Sequence, residues 1–194
     1  MEQDPLFAYH QHLTQLTGIT DAAWESLRNI AEVKQVERQQ VVLEEGKVCT
    51  YIDFIFSGAF RAFYNNDGEE VTVGLYLPGT CFTNMKSLST QTPSQLTIHA
   101  LSPGIVVRIQ KQEMIGLYQQ VPEMESVGRK MLEHMLIQEN EWKDMHTLYT
   151  PEKKYAFLLE KNPKLIQVFP LQFIASFLGM RRETLSRIRN RITS

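Results

Sequence analysis

Hydrophobic and polar positions change period twice along the chain, and the changes divide it into three stretches. In the first 30 residues Leu6, Tyr9, Leu13 and Leu16 recur at helical spacing, and Gly18 stops the run. Thr20 followed by Asp21 is an N-cap signal for a second short helix, whose apolar face is Trp24, Leu27 and Ile30. From about Val33 to Gln110 the pattern shortens to runs of β-branched and aromatic residues: Val41–Leu43, Tyr51–Phe56, Ala59–Tyr64, Val71–Leu77, Leu96–Leu101 and Ile105–Ile109. Turn residues separate the runs, and Asn65-Asn66-Asp67-Gly68 is a hairpin signal. Many short strands at near-regular spacing predict a sandwich, barrel or jelly roll.

Beyond Gln110 the period returns to that of a helix. Gln112–Gln120 predicts a short one, and Pro122 stands where the next could begin. From Glu123 to about Tyr149 Met124, Gly128, Met131, Met135, Gln138, Trp142, Met145 and Tyr149 alternate at spacings of four and three. A helix that long, about 40 Å, outruns a small domain, which predicts pairing of two chains through residues 123–149, the alternative being a long helix that lies on the surface of its own domain. Pro151 ends or kinks it, Glu152–Glu160 is helical, and Leu165–Phe169 reads as a brief strand closed by Pro170.

Leu171–Asn190 carries the strongest pattern. Ala175 is small, Gly179 follows four residues later, and Leu185 and Ile188 are apolar beyond it, the spacing of a helix-turn-helix. Ala175 permits close helix approach, Gly179 supplies the turn, and Leu185, Ile188 and Ile192 seat the second helix. Glu183, Ser186, Arg187 and Asn190 fall on the opposite face, flanked by Arg182 and Arg191. Arg donates two hydrogen bonds to guanine and Glu accepts from cytosine, while further Arg, Ser and Thr groups, among them Arg181 and Thr184, suit phosphates.

Charge alters the picture only once it is divided. The whole chain holds 20 Lys and Arg against 22 Asp and Glu, a net charge of −2 that argues against nucleic acid. Residues 151–194, however, hold nine basic against three acidic groups, and residues 1–150 eleven against nineteen. Five arginines lie between 181 and 191. The acidic body fits a protein that repels DNA everywhere but at one face. The acidic start Met1-Glu2-Gln3-Asp4-Pro5 has no basic n-region, and no apolar run is long enough to cross a bilayer, so a cytoplasmic protein with no membrane partner is expected. Cys49 and Cys81 are too few for a disulfide framework, a four-thiolate zinc site or an iron–sulfur cluster, and their thiols are expected reduced and partly buried. The pair His10 and His12 precedes the strands and reads as solvated. No nucleophile spacing or phosphate loop is present, so neither a catalytic site nor a metal site is expected.

At VVLEEG (Val41–Gly46), YIDFIFSGAFRAF (Tyr51–Phe63), DGEE (Asp67–Glu70), IASFLG (Ile174–Gly179) and RETLSR (Arg182–Arg187) the sequence resembles the cyclic-AMP receptor/Fnr family of bacterial transcription regulators. The resemblance implies an α+β chain: a cyclic-nucleotide-binding-like jelly roll over 1–120, a dimerisation helix over 121–149 and a helix-turn-helix over 150–194, winged only by Leu165–Phe169. It implies base contacts from Arg182, Glu183 and Arg187, a pseudo-palindromic duplex as partner, and contact with RNA polymerase. It also locates a ligand cassette, where this chain departs from the family. The family's Gly-Glu pair becomes Thr83-Asn84, and its Arg-Ser-Ala triplet becomes Ser94-Gln95-Leu96, with His99 nearby. A buried cyclic phosphate without a cation is costly, so cyclic AMP in the usual mode is not expected and the effector is unassigned. The alternatives are a receptor that binds DNA without ligand control and, at the far end, a jelly-roll metalloenzyme.

Overall fold

A computed structural model describes residues 4–192; Met1 to Gln3 of the acidic start, with Thr193 and Ser194, lie outside the described residues. The elements run α1 (Pro5–Thr17), α2 (Asp21–Arg28), β1 (Ala31–Val36), β2 (Val41–Leu43), β3 (Tyr51–Ser57), β4 (Phe60–Asn66), β5 (Glu69–Tyr76), β6 (Cys81–Phe82), α3 (Met85–Thr90), β7 (Thr97–Ala100) and β8 (Gly104–Gln110). Helices follow: α4 (Lys111–Gln120), α5 (Glu123–Leu148), α6 (Pro151–Lys161), α7 (Pro163–Val168), α8 (Leu171–Phe177) and α9 (Arg182–Ile192). The strands form two four-stranded sheets, ordered β1-β8-β3-β6 and β2-β7-β4-β5, and the chain groups into two compact units.

The first unit comprises residues 1–60 and 76–135. Its central antiparallel pair is β3 with β8, in register from Tyr51 opposite Gln110 to Ile55 opposite Val106. Phe54, Val107 and Ile109 alternate inward and meet Tyr9, Leu13, Trp24 and Leu27 of α1 and α2, with Met124 and Val127 of α5 closing the cluster. Tyr9 stacks on Phe54 at 4.9 Å between centroids, which fixes α1 on the sheet. The helix ends follow the sequence signals: the Thr20 hydroxyl accepts from the Ala23 amide, and Gly18 adopts a left-handed φ of +69°. A Cβ on Gly104 would lie 2.4 Å from the Ser57 carbonyl oxygen, so only glycine lets β8 start beside the β3–β4 turn.

Two histidines read as solvated are packed instead. His10 stacks on Trp24 at 4.6 Å, and His12 lies half-buried against Phe54 at 5.1 Å. Burial, followed by the nearby His134, holds the His12 imidazole below its ordinary pKa.

The second unit comprises residues 61–75 and 136–194. Thr150 caps α6, with Pro151 at its first turn where no amide partner is lost. Tyr155, Leu158, Leu165, Ile174, Phe177, Leu185 and Ile188 are buried in this unit. Leu165–Phe169 is not a strand: Pro163 initiates α7, and Leu165 is its buried residue. Among the described residues no strand follows β8, so that segment forms no wing.

The long helix also corrects the expected pairing seam. Met124 is buried at 1% exposure and Met145 at 0%, both within the chain itself. Trp142 packs edge-on against Phe157 and Phe177 at 5.8 and 5.2 Å, and a Cβ on Gly128 would strike the Tyr118 hydroxyl. At Met124, Gly128, Trp142 and Met145 the four-three pattern therefore marks a face turned to the chain's own domains, whereas Gln138 and Tyr149 of the same pattern are exposed. The large apolar side chains that α5 leaves exposed are Leu132, Leu136, Ile137 and Leu148.

Candidate nucleic-acid interface and sensor cassette

The helix-turn-helix is built as its spacing requires. Helix α8 ends at Leu178, Gly179 takes a left-handed φ of +66°, and the Met180 amide returns to the Ala175 carbonyl at 3.0 Å. The Lys154 ammonium donates to the Leu178 carbonyl at 3.3 Å and so compensates the negative end of α8. Ala175 is 1% exposed, leaving room for α9 to cross close above it. Leu185 and Ile188 are buried, whereas Ile192 is 47% exposed and does not seat the helix.

The remaining residues of α9 divide by face. Arg181, Arg182, Glu183, Arg187, Asn190 and Arg191 are exposed, and Thr184 and Ser186 are half-buried beside them. Together the described residues present a cationic helix face with one carboxylate near its start, a surface able to enter a duplex groove and to donate to phosphates and base edges.

The hairpin of β4 and β5 belongs to the same unit. Arg61 is 1% exposed; its Nε donates to the Thr72 hydroxyl at 2.8 Å and another nitrogen donates to the Glu70 carboxylate. Its guanidinium lies between two rings, 4.5 Å from Phe63 and 4.0 Å from Phe173 of α8. The Thr72 amide donates to the Ser176 hydroxyl at 2.9 Å. Nothing in the residue pattern foretold this, because the partners Phe173 and Ser176 lie about a hundred residues further along the chain.

In the first unit two of the cassette residues, Asn84 and Ser94, bond to each other, and Thr83 bonds to nearby backbone. The Asn84 amide donates to the Ser94 hydroxyl at 2.8 Å, while its carbonyl oxygen caps α3 by accepting from the Ser87 amide. The Ser94 hydroxyl donates to the Leu96 carbonyl. Thr83 donates to the Tyr51 carbonyl at 2.8 Å, and Ser87 receives the Cys49 amide. Gln95 is exposed and His99 half-buried on β7. The charged pair of this unit lies on the sheet instead: Arg108 donates twice to Asp53, at 2.8 and 2.7 Å, and stacks on Tyr51 at 3.4 Å. Asp53 is fully buried, and the two residues are directly opposed in the β3–β8 register. Burial pushes the Cys81 thiol up to about 12, which keeps it protonated. Among the described residues no group of three His, Cys, Asp or Glu side chains could hold a metal ion, and no helix is long and apolar enough to cross a membrane.

Residues 33–121 match the family model of the cyclic nucleotide-binding domain. That match defines the class of the strand-rich region. Solved structures extend the likeness along the chain. FixK2 from Bradyrhizobium japonicum shares 19% identity over 84% of this chain and 85% of its own, at a TM-score of 0.70. A CooA variant from Carboxydothermus hydrogenoformans shares 13% over 100% of this chain and 85% of its own, at 0.67. A structure described as a regulator of the crp/fnr family from Eubacterium rectale shares 14% over 94% and 88%, also at 0.67. No curated protein matches the chain in sequence. The domain match assigns residues 33–121 to a cyclic nucleotide-binding domain, and the solved structures share the fold of most of the chain.

Proposed function

We propose that this chain is a cytoplasmic transcription regulator of Crp–Fnr type, not an enzyme, that reads duplex DNA with α9 as a homodimer. The observation carrying the reading is the division of α9: Leu185 and Ile188 are held in the core while Arg182, Glu183, Arg187 and Asn190 are exposed. Arg182, Glu183 and Arg187 contact base edges, and Arg181, Thr184, Ser186 and Arg191 serve phosphates. Pairing uses the exposed Leu132, Leu136 and Ile137 of α5, and a two-fold axis sets half-sites about 34 Å apart. RNA polymerase is the further partner such a regulator would touch. The described neighbours, one of them a crp/fnr-family regulator, support the same reading at the level of fold.

For the sensor we propose an effector other than cyclic AMP near Thr83, Asn84, Ser94, Gln95 and His99, or none at all. The second alternative, DNA binding without ligand control, is favoured by the Asn84–Ser94 hydrogen bond, which occupies polar groups a ligand would need.

Fluorescence anisotropy with a bound duplex tests the DNA reading. Arg187→Ala should cost about 1–3 kcal/mol and relax preference at one base pair. Arg181→Ala should weaken all sequences alike and lower the salt slope by about one. Unchanged binding in both variants would remove α9 from the interface.

A further inference from the structure

The β4–β5 hairpin carries a motif, Asp67-Gly68-Glu69-Glu70, that the proposed reading of DNA leaves without a role. Its place in the fold gives it one. Glu69 and Glu70 line the same cleft, about 420 Å³, as Arg181, Arg182 and Glu183 at the start of α9. Glu70 is already paired with Arg61, so it is the Glu69 carboxylate that lines this cleft uncompensated by Arg61, beside the arginines that the DNA reading assigns to the duplex. A carboxylate in that cleft opposes DNA phosphates and offsets part of the cationic field that would attract them.

The hairpin is held there by specific bonds rather than by chance proximity. It is the outer strand of its sheet, β5, that meets α8: the Thr72 amide donates to Ser176, and Thr72 is 2% exposed. Beneath it the Arg61 side chain, held by Glu70 and Thr72, lies against Phe173 of α8. Arg61 thus has one cation joining the acidic tip of the hairpin to the first helix of the reader. A tight turn at Asp67 and Gly68, both at positive φ, keeps the tip short and directs Glu69 and Glu70 back along β5.

We infer that the β4–β5 hairpin is an autoinhibitory clasp, which docks on α8 through Thr72–Ser176 and Arg61–Phe173 and sets Glu69 and Glu70 against the DNA-facing start of α9. This rests on the proposed DNA reading. In the clasped state the exposed Arg181 and Arg182 share their cleft with carboxylates, and DNA gains their full field only when the hairpin withdraws. The acidic pair is a local brake, distinct from the acidic surplus of the whole body, and an effector or partner that lifts the hairpin would raise DNA affinity without touching α9.

Three variants of the full chain test the clasp by anisotropy at fixed salt. Glu69→Gln, on an exposed side chain, should tighten DNA binding several-fold. Ser176→Ala, which removes the acceptor of the Thr72 amide, should do the same and should speed hydrogen exchange at that amide. Replacing both Thr72 and Ser176 with cysteine allows a covalent lock, and the oxidised form should bind at least tenfold more weakly than the reduced form. Equal affinity of the two forms, or weaker binding by Glu69→Gln and Ser176→Ala, would overturn the clasp and leave the hairpin a support for the reader. Failure of the DNA reading looks different: wild type and every variant would then ignore DNA, while the exchange rate at Thr72 still reports whether the docking exists.

Discussion

The two regions that bear chemistry treat their polar groups in opposite ways. Around the cassette, Asn84, Ser87, Ser94 and Thr83 hydrogen-bond to one another and to nearby backbone, and Asp53 is buried against Arg108. Along α9 the apolar residues are the ones withdrawn, and the arginines stand out in solvent. Groups already bonded, as at Asn84 and Ser94, gain little from a polar ligand, because each new bond must replace one already made. A region that exposes fixed cations gains affinity from any polyanion that fits it. The contrast suits the proposed function, in which a cyclic nucleotide-binding-like fold without the usual ligand residues is joined to a DNA reader.

The largest expected effect is at the buried pair. Asp53→Ala strands the Arg108 guanidinium in the sheet and should cost about 3–5 kcal/mol in chemical denaturation. A loss below 1 kcal/mol would mean the sensor is not held from within. Asn84→Ala should cost about 1 kcal/mol, since it removes the α3 cap together with the bond to Ser94. If the variant instead acquires ligand-dependent DNA binding, the cassette is a vacated receptor rather than a scaffold.

Acid should produce a shallower change. Burial holds His12 and His146 below their ordinary value of 6.5, with His134 and Lys154 adding to the same direction. The unfolded chain then binds protons first, so the stability these groups contribute is full above about pH 6.5 and declines as the pH falls through that value. Urea midpoints between pH 8 and 5 should show the decline, and His12→Gln should flatten it. Smallest of all, Arg187→Ala should leave the urea midpoint within about 0.5 kcal/mol of the wild type, because its side chain is exposed.

What the sequence disclosed followed from local pattern. The strand runs, the Thr20 cap, the span of α5 and the Ala175–Gly179–Leu185–Ile188 spacing are all short-range signals, and each appears where the pattern placed it. Long-range partners were hidden. Met145 and Trp142 look like a pairing seam until Phe157 and Phe177 are found against Trp142, and nothing in the local pattern around Arg61 signals that Phe173 lies over it. Leu165–Phe169 misled for a different reason: its apolar run carries no period, and Pro163 as a helix start outweighed it. The cassette residues were located through the family resemblance, but only side-chain geometry revealed that Asn84 and Ser94 bond to each other.

The central claim is that two copies of α9 read a symmetric duplex, and selection of bound sequences from a random pool tests it most directly. The account predicts enrichment of an inverted repeat with half-sites about one helical turn, roughly 34 Å, apart, and loss of one preferred base pair per half-site in Arg187→Ala. A single asymmetric site, or a pool left unenriched by the wild-type chain, would contradict it.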